Sequence, residues 1–369
     1  MFSDSEFLMS SSCHETPAGP LLRVAVIGAG IAGAMCARRL ADAGARVTLH
    51  DKARGPGGRM STRRHGDGAE ARHLDHGATG FESHSLDLLP WLRQGAAQGW
   101  LQRWDAVRPE GTEPSRWVAV PGMNELVRRL LHGLPLQAGR AVVALHRDDA
   151  GWQLQLDGEA APGPQRHDAV VLAMPPRQAA ALLVPHQPDW AMQALQARMQ
   201  PCWTLMAETD EPPAWDFSLA RPAHGPLELL VRDDLKPGRL RRPGRALWVA
   251  QARADWSGAH VDLPAEAVAA RLLDALRAEV NPGGDLRPHF ATAHRWLYAR
   301  PEPLLCAGPA CWWEAGQGLG VCGDFLGGGT VELAALSGLD LAERIGREPP
   351  RPTQERHARA EVRRQEQPA

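Results

Sequence analysis

The sequence VAVIGAGIAGAMCARRLADAGARVTLHDKARGPGGRMSTRR, residues 24–64, carries the strongest structural signal in the chain. Its apolar start at 24–27 predicts a buried parallel strand, and Gly28, Gly30 and Gly33 follow at G-x-G-x-x-G spacing. The first glycine permits a tight turn, the second lets a pyrophosphate approach the backbone, and the third lets the next helix pack on the strand. This order of elements predicts a dinucleotide-binding unit.

The predicted helix after the glycines begins at Ile31 and Ala32 and ends at Gly44. The free N–H groups and the dipole at its N-terminus favour an anion, which predicts that the pyrophosphate lies there. A second strand follows at 46–50, with Asp51 at its end. A carboxylate in that position accepts the hydroxyl groups of an adenosine ribose. The motif alone does not separate NAD from FAD.

The next loop, RGPGGRM at 54–60, favours FAD. Gly58 lies between Arg54 and Arg59, and Met60 follows. Such a loop passes close to a second stretch of phosphate or ribitol, and its arginines neutralise phosphate charge. A nicotinamide-dependent enzyme does not need this second contact so soon after the acidic residue.

A matching segment, GLGVCGDFLGGGTVE, lies at 318–332. An apolar strand that ends in Gly323 and Asp324 presents a carboxylate to a ribitol hydroxyl, although an Asp in this position is more often a helix cap. The glycines then open a helix predicted at 330–345. Its N-terminus, at Thr330 and Val331, would face the flavin N1–C2 carbonyl edge, where reduced flavin is negative. The two ends of the chain are therefore predicted to meet on one FAD.

The chain has 369 residues, which is enough for two domains. Its net charge of −2 gives no sign of nucleic-acid binding. It holds no apolar run of membrane-spanning length, and its first residues lack a basic signal region. Six scattered cysteines without a disulfide framework favour the cytoplasm. Neither they nor the H-x-x-H pair His73 and His76 forms a metal-ligand set, so no metal is predicted.

The pattern predicts an α/β protein with a Rossmann-like FAD-binding domain and a second α+β substrate domain built on an antiparallel sheet. Strand candidates at 202–209, 227–232, 246–252 and 289–298, with a helix at 264–280, form that sheet. Residues 86–104 read as helical, and Val142 would flank the adenine. The predicted ranges are a disordered leader at 1–22, FAD-binding parts at 23–80, 121–180 and 301–346, substrate parts at 81–120 and 181–300, and a disordered tail at 347–369.

Further motifs carry a family resemblance. They are DKARGPGGRMSTRR at 51–64, LDHGA at 74–78, VPGMNEL at 120–126, AVVLAMPPRQAAALL at 169–183, PCWTLM at 201–206, HRWLYAR at 294–300 and GLGVCGD at 318–324. Together they resemble bacterial renalases, which belong to the glutathione-reductase-type FAD proteins near the amine oxidases. The resemblance covers residues 23–346.

The resemblance implies a non-covalent FAD enzyme that oxidises the 2- and 6-dihydro isomers of NAD(P), passes electrons to O2, and yields NAD(P)+ and hydrogen peroxide. His76 and Gly77 would lie near the flavin ring. The implied cofactor contacts are Gly28, Gly30, Gly33, Asp51, Lys52, Arg54, Arg59, Met60, Val142, Gly323, Asp324 and Val331. The chain departs from the family at Thr79–Gly80, where a Gln-Tyr pair is expected, and at Thr330, where Arg is expected.

Hydride transfer from a dihydropyridine needs no base, so we expect no catalytic triad and a pocket that stacks the substrate on the flavin. His294, Trp296 and Tyr298, spaced by two, face one side of a strand and either line that pocket or form a packed sheet face. The sequence carries no signal for an oligomeric state or for a preference between NAD and NADP.

Two alternatives remain at the level of sequence. A flavin amine oxidase commonly uses paired tyrosines and a lysine near the flavin, but the chain has one tyrosine. Lys236 precedes Pro237 and Gly238 in an apparent surface turn, and Lys52 lies beside the ribose site. The other alternative is a non-catalytic FAD-binding or redox-sensing protein, in which no dinucleotide would reduce the flavin.

Overall fold

The computed structural model describes residues 21–68, 71–109, 111–112, 114–302 and 308–350. Apart from residues 21–22 and 347–350, the expected leader and tail lie outside the described residues.

The strands, numbered in chain order, are β1 Arg23–Ile27, β2 Arg46–Asp51, β3 Arg63–His65, β4 Arg72–Leu74, β5 Leu101–Trp104, β6 Val107–Arg108, β7 Gly111–Thr112, β8 Arg116–Ala119, β9 Leu136–Ala138, β10 Val142–Asp148, β11 Gly151–Leu156, β12 Ala169–Leu172, β13 Met199–Asp210, β14 Leu219–Ala220, β15 Leu227–Arg232, β16 Arg245–Ala252, β17 Pro288–Pro301, β18 Cys311–Glu314 and β19 Leu319–Cys322. The helices are α1 Ile31–Asp42, α2 Leu89–Ala97, α3 Asn124–Leu130, α4 Pro176–Leu183, α5 Pro188–Gln196, α6 Ala254–Ala259, α7 Ala265–Val280 and α8 Val331–Arg347.

One sheet has six strands in the order β18-β19-β12-β1-β2-β9, and all its pairings are parallel except β18 with β19. Side chains alternate along the central strand β1. Val24 and Val26 therefore pack towards α1 and α8, whereas Ala25 and Ile27 pack towards α4 and the β10–β11 hairpin. Burial on both faces explains the near-continuous apolar runs of β1, β12 and β19.

A second sheet, of five antiparallel strands, has the order β14-β15-β16-β13-β17. One face, with Trp203, Leu205 and Trp248, packs against α7. The opposite face, with Met206 and Val249, belongs to the same continuous core as α1 and α8. We call this second surface the inner face, because it brings the five-stranded sheet against the six-stranded unit.

Two segments differ from the sequence expectations. The helix predicted across residues 86–104 ends at Ala97, because Gly99 adopts φ +77°, and the chain then forms β5. Helix α5, inside the range 181–300, packs in the core of the six-stranded sheet, since Ala191 and Ala194 are buried there. The five-stranded sheet begins only at β13.

No helix in the described part of the chain is long and apolar enough to cross a bilayer.

Candidate functional site

The glycine turn after β1 is shaped by packing at two of its three glycines. A Cβ on Gly28, which has φ +111°, would lie 2.1 Å from the carbonyl oxygen of Ala173. A Cβ on Gly33 would lie 2.0 Å from the carbonyl oxygen of Gly28. By contrast, a Cβ on Gly30 would meet no protein atom within 4 Å. The open space beside Gly30 is where the sequence predicts a pyrophosphate.

The N-terminus of α1 is available to an anion. Gly30 is its N-cap and supplies no side chain to bond the first N–H groups of the helix. Those of Ile31 and Ala32 have no intrahelical acceptor in an α-helix. Free donors, the positive end of the helix dipole and the open volume at Gly30 together fit a pyrophosphate.

Asp51 ends β2 and fastens the glycine turn to it. Its Oδ2 accepts a hydrogen bond from the Ala29 N–H at 2.6 Å, and its Oδ1 accepts one from Ala53 at 2.7 Å. Each carboxylate oxygen keeps a further lone pair, so Asp51 can still accept ribose hydroxyls. Lys52 and Arg54, which follow, are exposed.

Val142 lies near the same edge of the sheet. Strand β9 pairs with β2, with Ala138 opposite Asp51, and the Gly139 N–H donates to the carbonyls of Asp51 and Ala53. Val142 begins β10 a few residues later, half-buried against the core under the hairpin.

The second glycine loop, residues 54–60, packs against the glycine turn after β1. The Gly57 N–H donates to the Ala29 carbonyl at 2.9 Å, and a Cβ on Gly58 would lie 3.2 Å from the Cα of Gly30. Gly58 itself is exposed, whereas Met60 is buried. The two loops therefore form one glycine-lined surface.

The two ends of the chain meet in an ion pair. Arg59 Nη1 and Nη2 donate to Oδ2 and Oδ1 of Asp324, each at 2.6 Å, and Nη1 also donates to the Ala299 carbonyl at 3.2 Å. Asp324 directly follows Gly323 at the end of β19. Asp324 does not cap the following helix. Thr330 does, because its Oγ1 accepts a hydrogen bond from the Leu333 N–H at 3.1 Å.

The helix that Thr330 caps, α8, begins at Val331 and ends at Arg347, so it is shifted from the predicted range 330–345. It packs closely on α1, since a Cβ on Gly338 would lie 2.1 Å from the Ala32 carbonyl oxygen.

Three rings form a contiguous cluster beside Arg59. His76 and Trp296 are stacked, with centroids 5.1 Å apart, and His294 meets His76 at 4.8 Å and Trp296 at 4.4 Å, edge to face. His76 is buried, and the other two rings are half-buried. We call these three side chains the aromatic face.

Both imidazoles of the aromatic face are held neutral at physiological pH. Burial, helped by His294 and Arg63, lowers the pKa of His76 to about 3. Burial and Arg63 also lower the pKa of His294. Desolvation disfavours the charged imidazolium, so the face is an uncharged aromatic surface.

Tyr298 does not join this cluster. The pairing of β13 with β17 shifts register between Trp296 and Arg300, which interrupts the alternation that placed Tyr298 on the same side as His294. Within the described residues its half-buried ring has no stacking or edge contact with the aromatic face.

The backbone of His76 and Gly77 lies between the five-stranded sheet and the second glycine loop. Trp296 Nε1 donates to the His76 carbonyl at 2.9 Å, and Gln251 Nε2 donates to the Gly77 carbonyl at 2.6 Å. On its other side, a Cβ on Gly77 would lie 1.9 Å from the Arg59 carbonyl oxygen. Gly77 is therefore needed for this close approach, whatever else it contacts.

Asp75, one residue earlier, is fully buried among positive charges. Lys236 Nζ donates to its Oδ2 at 2.9 Å, and Arg239 Nη2 donates to the same oxygen at 2.6 Å. Its Oδ1 accepts from the Thr62 hydroxyl and the Met123 N–H. Burial alone would raise the pKa of Asp75, but the two cations outweigh burial and hold that pKa below its ordinary value.

Lys236 corrects an expectation. It was predicted in a surface turn, yet its side chain is fully buried and also pairs with Asp233. The turn faces inward, since a Cβ on Gly238 would lie 2.4 Å from Cγ1 of Val120. The ammonium group is committed to carboxylates and does not lie free beside a reacting atom.

Sequence reasoning missed Asp75, Gln251 and Arg239 as supports of this site. Asp75 lies within the LDHGA motif beside His76, and Gln251 is the polar residue in the otherwise apolar run at 246–252. A buried strand with one amide side chain signals a specific hydrogen bond, because a buried polar group needs a partner.

Known proteins match this architecture. Residues 26–94 match the NAD(P)-binding Rossmann-like domain, and residues 101–346 match the family described as flavin containing amine oxidoreductase.

Solved structures of similar fold include a putative protoporphyrinogen oxidase from Exiguobacterium sp. 255-15, with TM-score 0.69 and 14% identity over 88% of this chain and 98% of that one. Cyclohexylamine oxidase from Brevibacterium oxydans IH-35A gives TM-score 0.66 and 13% identity over 90% and 100% of the two chains. A putrescine oxidase gives TM-score 0.60 and 15% identity over 88% of this chain and 99% of that one. At such identities these likenesses establish the fold alone.

Two observations now agree: the glycine-lined surface fits a dinucleotide, and the family match covers most of the chain. The protein belongs to the flavin-containing amine oxidoreductase family, and its cofactor is FAD.

Proposed function

We propose that this protein is a renalase-like oxidase that takes a hydride from the 2- and 6-dihydro isomers of NAD(P) and delivers the electrons to O2. The balanced reaction consumes one dihydronicotinamide dinucleotide, one O2 and one proton, and yields NAD(P)+ and hydrogen peroxide. FAD, bound without a covalent link, supplies the hydride-accepting ring and the two-electron reduction of O2.

The observation that carries the proposal is the uncharged aromatic face of His76, His294 and Trp296. A dihydropyridine ring is flat and uncharged, and it stacks on such rings. Its product is aromatic, so the chain needs no general base, and the lowered pKa of His76 makes that imidazole a poor proton carrier at neutral pH. The role of the face is to orient the ring and to exclude water.

The cofactor contacts follow the glycine-lined surface. We assign the pyrophosphate to the N-terminus of α1 at Gly30, Ile31 and Ala32, and the adenosine ribose to Asp51. We assign the contacts with the ribitol of FAD to Gly58, Arg59, Gly323 and Asp324. The remaining proposed contacts are Gly28, Gly33, Lys52, Arg54, Met60, His76, Gly77, Val142, Thr330 and Val331.

The domain assignment belongs to the same proposal. Residues 23–80, 121–180 and 301–346 form an FAD-binding domain of glutathione-reductase type, and residues 81–120 and 181–300 form the substrate domain. The described strands support this division at β13–β17, whereas α5 packs with the FAD-binding part. A cytoplasmic location is also proposed, in keeping with the free thiols of Cys36, Cys202, Cys311 and Cys322.

Amine oxidation is the second candidate, because the family description and two structural neighbours name amines. Two features of this chain weigh against it. One tyrosine cannot form a tyrosine pair, and the Lys236 ammonium is engaged by Asp75 and Asp233.

Anaerobic rapid mixing of the holoprotein tests the proposal by the loss of oxidised-flavin absorbance. The panel is the 2-, 4- and 6-dihydro isomers of NAD and NADP, with putrescine and cyclohexylamine as amines. We expect fast bleaching by the 2- and 6-dihydro isomers and slow or no bleaching by the amines. Bleaching by amines alone would establish amine oxidation, and no bleaching by any member would favour a non-catalytic or redox-sensing protein.

A further inference from the structure

The β3–β4 hairpin is docked firmly on the inner face of the five-stranded sheet. The ring of His65 stacks on Phe290 of β17, with centroids 3.8 Å apart and an interplanar angle of 21°. Arg72, opposite His65 in the hairpin, donates to both carboxylate oxygens of Glu208, from Nε at 3.1 Å and from Nη2 at 2.8 Å. Glu208 of β13 is itself the register partner of Phe290, so both contacts fix the hairpin over one point of the β13–β17 pair.

This docking carries Arg63 to the edge of the aromatic face. Side chains alternate along a strand, so Arg63 and His65 share one face of β3. Phe290 and His294 likewise share one face of β17, because their partners on β13 are Glu208 and Thr204. With His65 seated over Phe290, Arg63 extends towards His294, and its charge acts on the imidazoles of both His76 and His294.

The Arg63 guanidinium is exposed and makes no hydrogen bond or ion pair with any residue that the structure describes. Three carboxylates beside the hairpin and the aromatic face are committed to other cations. Glu208 binds Arg72, Asp324 binds Arg59, and Asp75 binds Lys236 and Arg239. The edge of the aromatic face therefore carries an unneutralised positive charge.

We propose that Arg63 binds the pyrophosphate of a dinucleotide substrate whose nicotinamide ring lies on the aromatic face. The inference rests on the proposed function. A guanidinium matches the geometry of phosphate oxygens in a bidentate pair, whereas it repels a protonated amine. Arg63 thus selects an anionic dinucleotide over a cationic small amine at the same ring site.

Two variants and a neighbouring control test this role. Arg63→Ala removes the charge. Arg63→Lys keeps the charge but lacks the planar guanidinium that forms two parallel hydrogen bonds. Arg64→Ala is the control, because Arg64 is also exposed and lies on the other face of β3. Anaerobic flavin reduction is followed against the concentration of 6-dihydro-NAD and of the corresponding dihydronicotinamide riboside, which has no phosphate.

For 6-dihydro-NAD we expect Arg63→Ala to raise the apparent Kd about tenfold, with the limiting reduction rate unchanged, and Arg63→Lys to fall between it and the wild type. The wild-type Kd should rise with ionic strength more steeply than that of Arg63→Ala. For the riboside, all forms should have the same Kd. An unchanged Kd for the dinucleotide in Arg63→Ala, or equal weakening for the riboside, would overturn the proposal.

Binding of ADP-ribose, which cannot donate a hydride, separates this inference from the proposed function. We expect calorimetry to give weaker binding to Arg63→Ala than to the wild type or Arg64→Ala. If no dihydronicotinamide reduces the flavin but ADP-ribose binding still depends on Arg63, the anion subsite stands and the oxidase proposal fails. If the dihydronicotinamides reduce the flavin quickly but ADP-ribose binds all forms equally, the proposed role of Arg63 is wrong and the oxidase proposal still stands.

Discussion

Arg59 and Asp324, 265 positions apart in the chain, form a bidentate ion pair with both N···O distances at 2.6 Å. The pair joins the second glycine loop to the end of β19. It ties the N-terminal and C-terminal segments of the FAD-binding part together at the point where both were expected to contact the cofactor. The Asp324 side chain is 7% exposed and that of Arg59 31%, so the pair is shielded on one side.

Breaking this pair should weaken FAD binding. We expect Arg59→Ala and Asp324→Asn each to lower FAD affinity about tenfold to a hundredfold, because a charge-assisted hydrogen bond contributes roughly 1.5–3 kcal/mol. The double variant should lose less than the sum of the single losses. FAD titration of apoprotein by flavin fluorescence measures all three. Arg129→Ala, which removes the exposed pair with Glu125, is the control and should leave FAD affinity unchanged.

The glycine turn predicts a separation between folding and cofactor binding. Gly30→Ala should fold with an unchanged melting temperature of the apoprotein, because its Cβ meets no protein atom, but it should bind FAD far more weakly. Gly33→Ala should lower the melting temperature of the apoprotein, since its Cβ would collide with the Gly28 carbonyl. Thermal unfolding of the apoproteins, followed by FAD titration, checks both. Wild-type FAD affinity in Gly30→Ala would place the pyrophosphate elsewhere.

Buried neutral histidines predict a loss of stability in acid. Burial lowers the pKa of His76 to about 3 and that of His167 to about 4, against 6.5 for the unfolded chain. The unfolded state therefore binds more protons below pH 6.5. The stability that the neutral histidines contribute is complete above pH 6.5. As the pH falls towards the folded pKa, the free energy of unfolding drops by about 1.4 kcal/mol per pH unit for each histidine.

Urea unfolding between pH 6 and pH 4 measures this slope. His76→Asn should reduce it by about one histidine's share, roughly 1.4 kcal/mol per pH unit. His224→Asn, at an exposed position, should leave the slope as it is. A slope unaffected by His76→Asn would mean that His76 takes up its proton at the same pH in the folded and the unfolded chain. The aromatic face would then become charged as soon as the pH falls below 6.5.

The buried lysine offers a test that also separates the two candidate chemistries. Lys236→Met leaves Asp75 and Asp233 short of a counter-charge in the interior, so we expect a loss of about 3–5 kcal/mol in the free energy of unfolding. Arg347→Met, at the exposed pair with Glu343, should cost under about 1 kcal/mol. If Lys236→Met instead kept full stability and only slowed reoxidation of the flavin by O2, Lys236 would act as an amine-oxidase lysine.

Local constraints explain what the sequence could predict. The roles of Gly28 and Gly33 are visible in their spacing, because a turn and a helix–strand contact depend on residues close in the chain. Asp51 is likewise found at the end of its strand. Strands β15 and β16 match the apolar runs predicted at 227–232 and 246–252, apart from one residue at the start of β16.

The rest depends on contacts between distant segments. Arg59 and Asp324 were each singled out, but nothing local indicates that they pair with each other. Tyr298 follows the alternation of His294 and Trp296 in sequence, and only the register shift of β17 against β13 removes it from the cluster. The turn at Lys236 has the composition of a surface turn, yet packing against Val120 directs it inward.

The stoichiometry of aerobic turnover tests the central claim most directly. Holoprotein is incubated with 6-dihydro-NAD, and NAD+, hydrogen peroxide and consumed O2 are measured together. We expect the three in equal amounts, with no product from putrescine or cyclohexylamine under the same conditions. Turnover of the amines to aldehyde and ammonia, with 6-dihydro-NAD left unchanged, would contradict the proposed function.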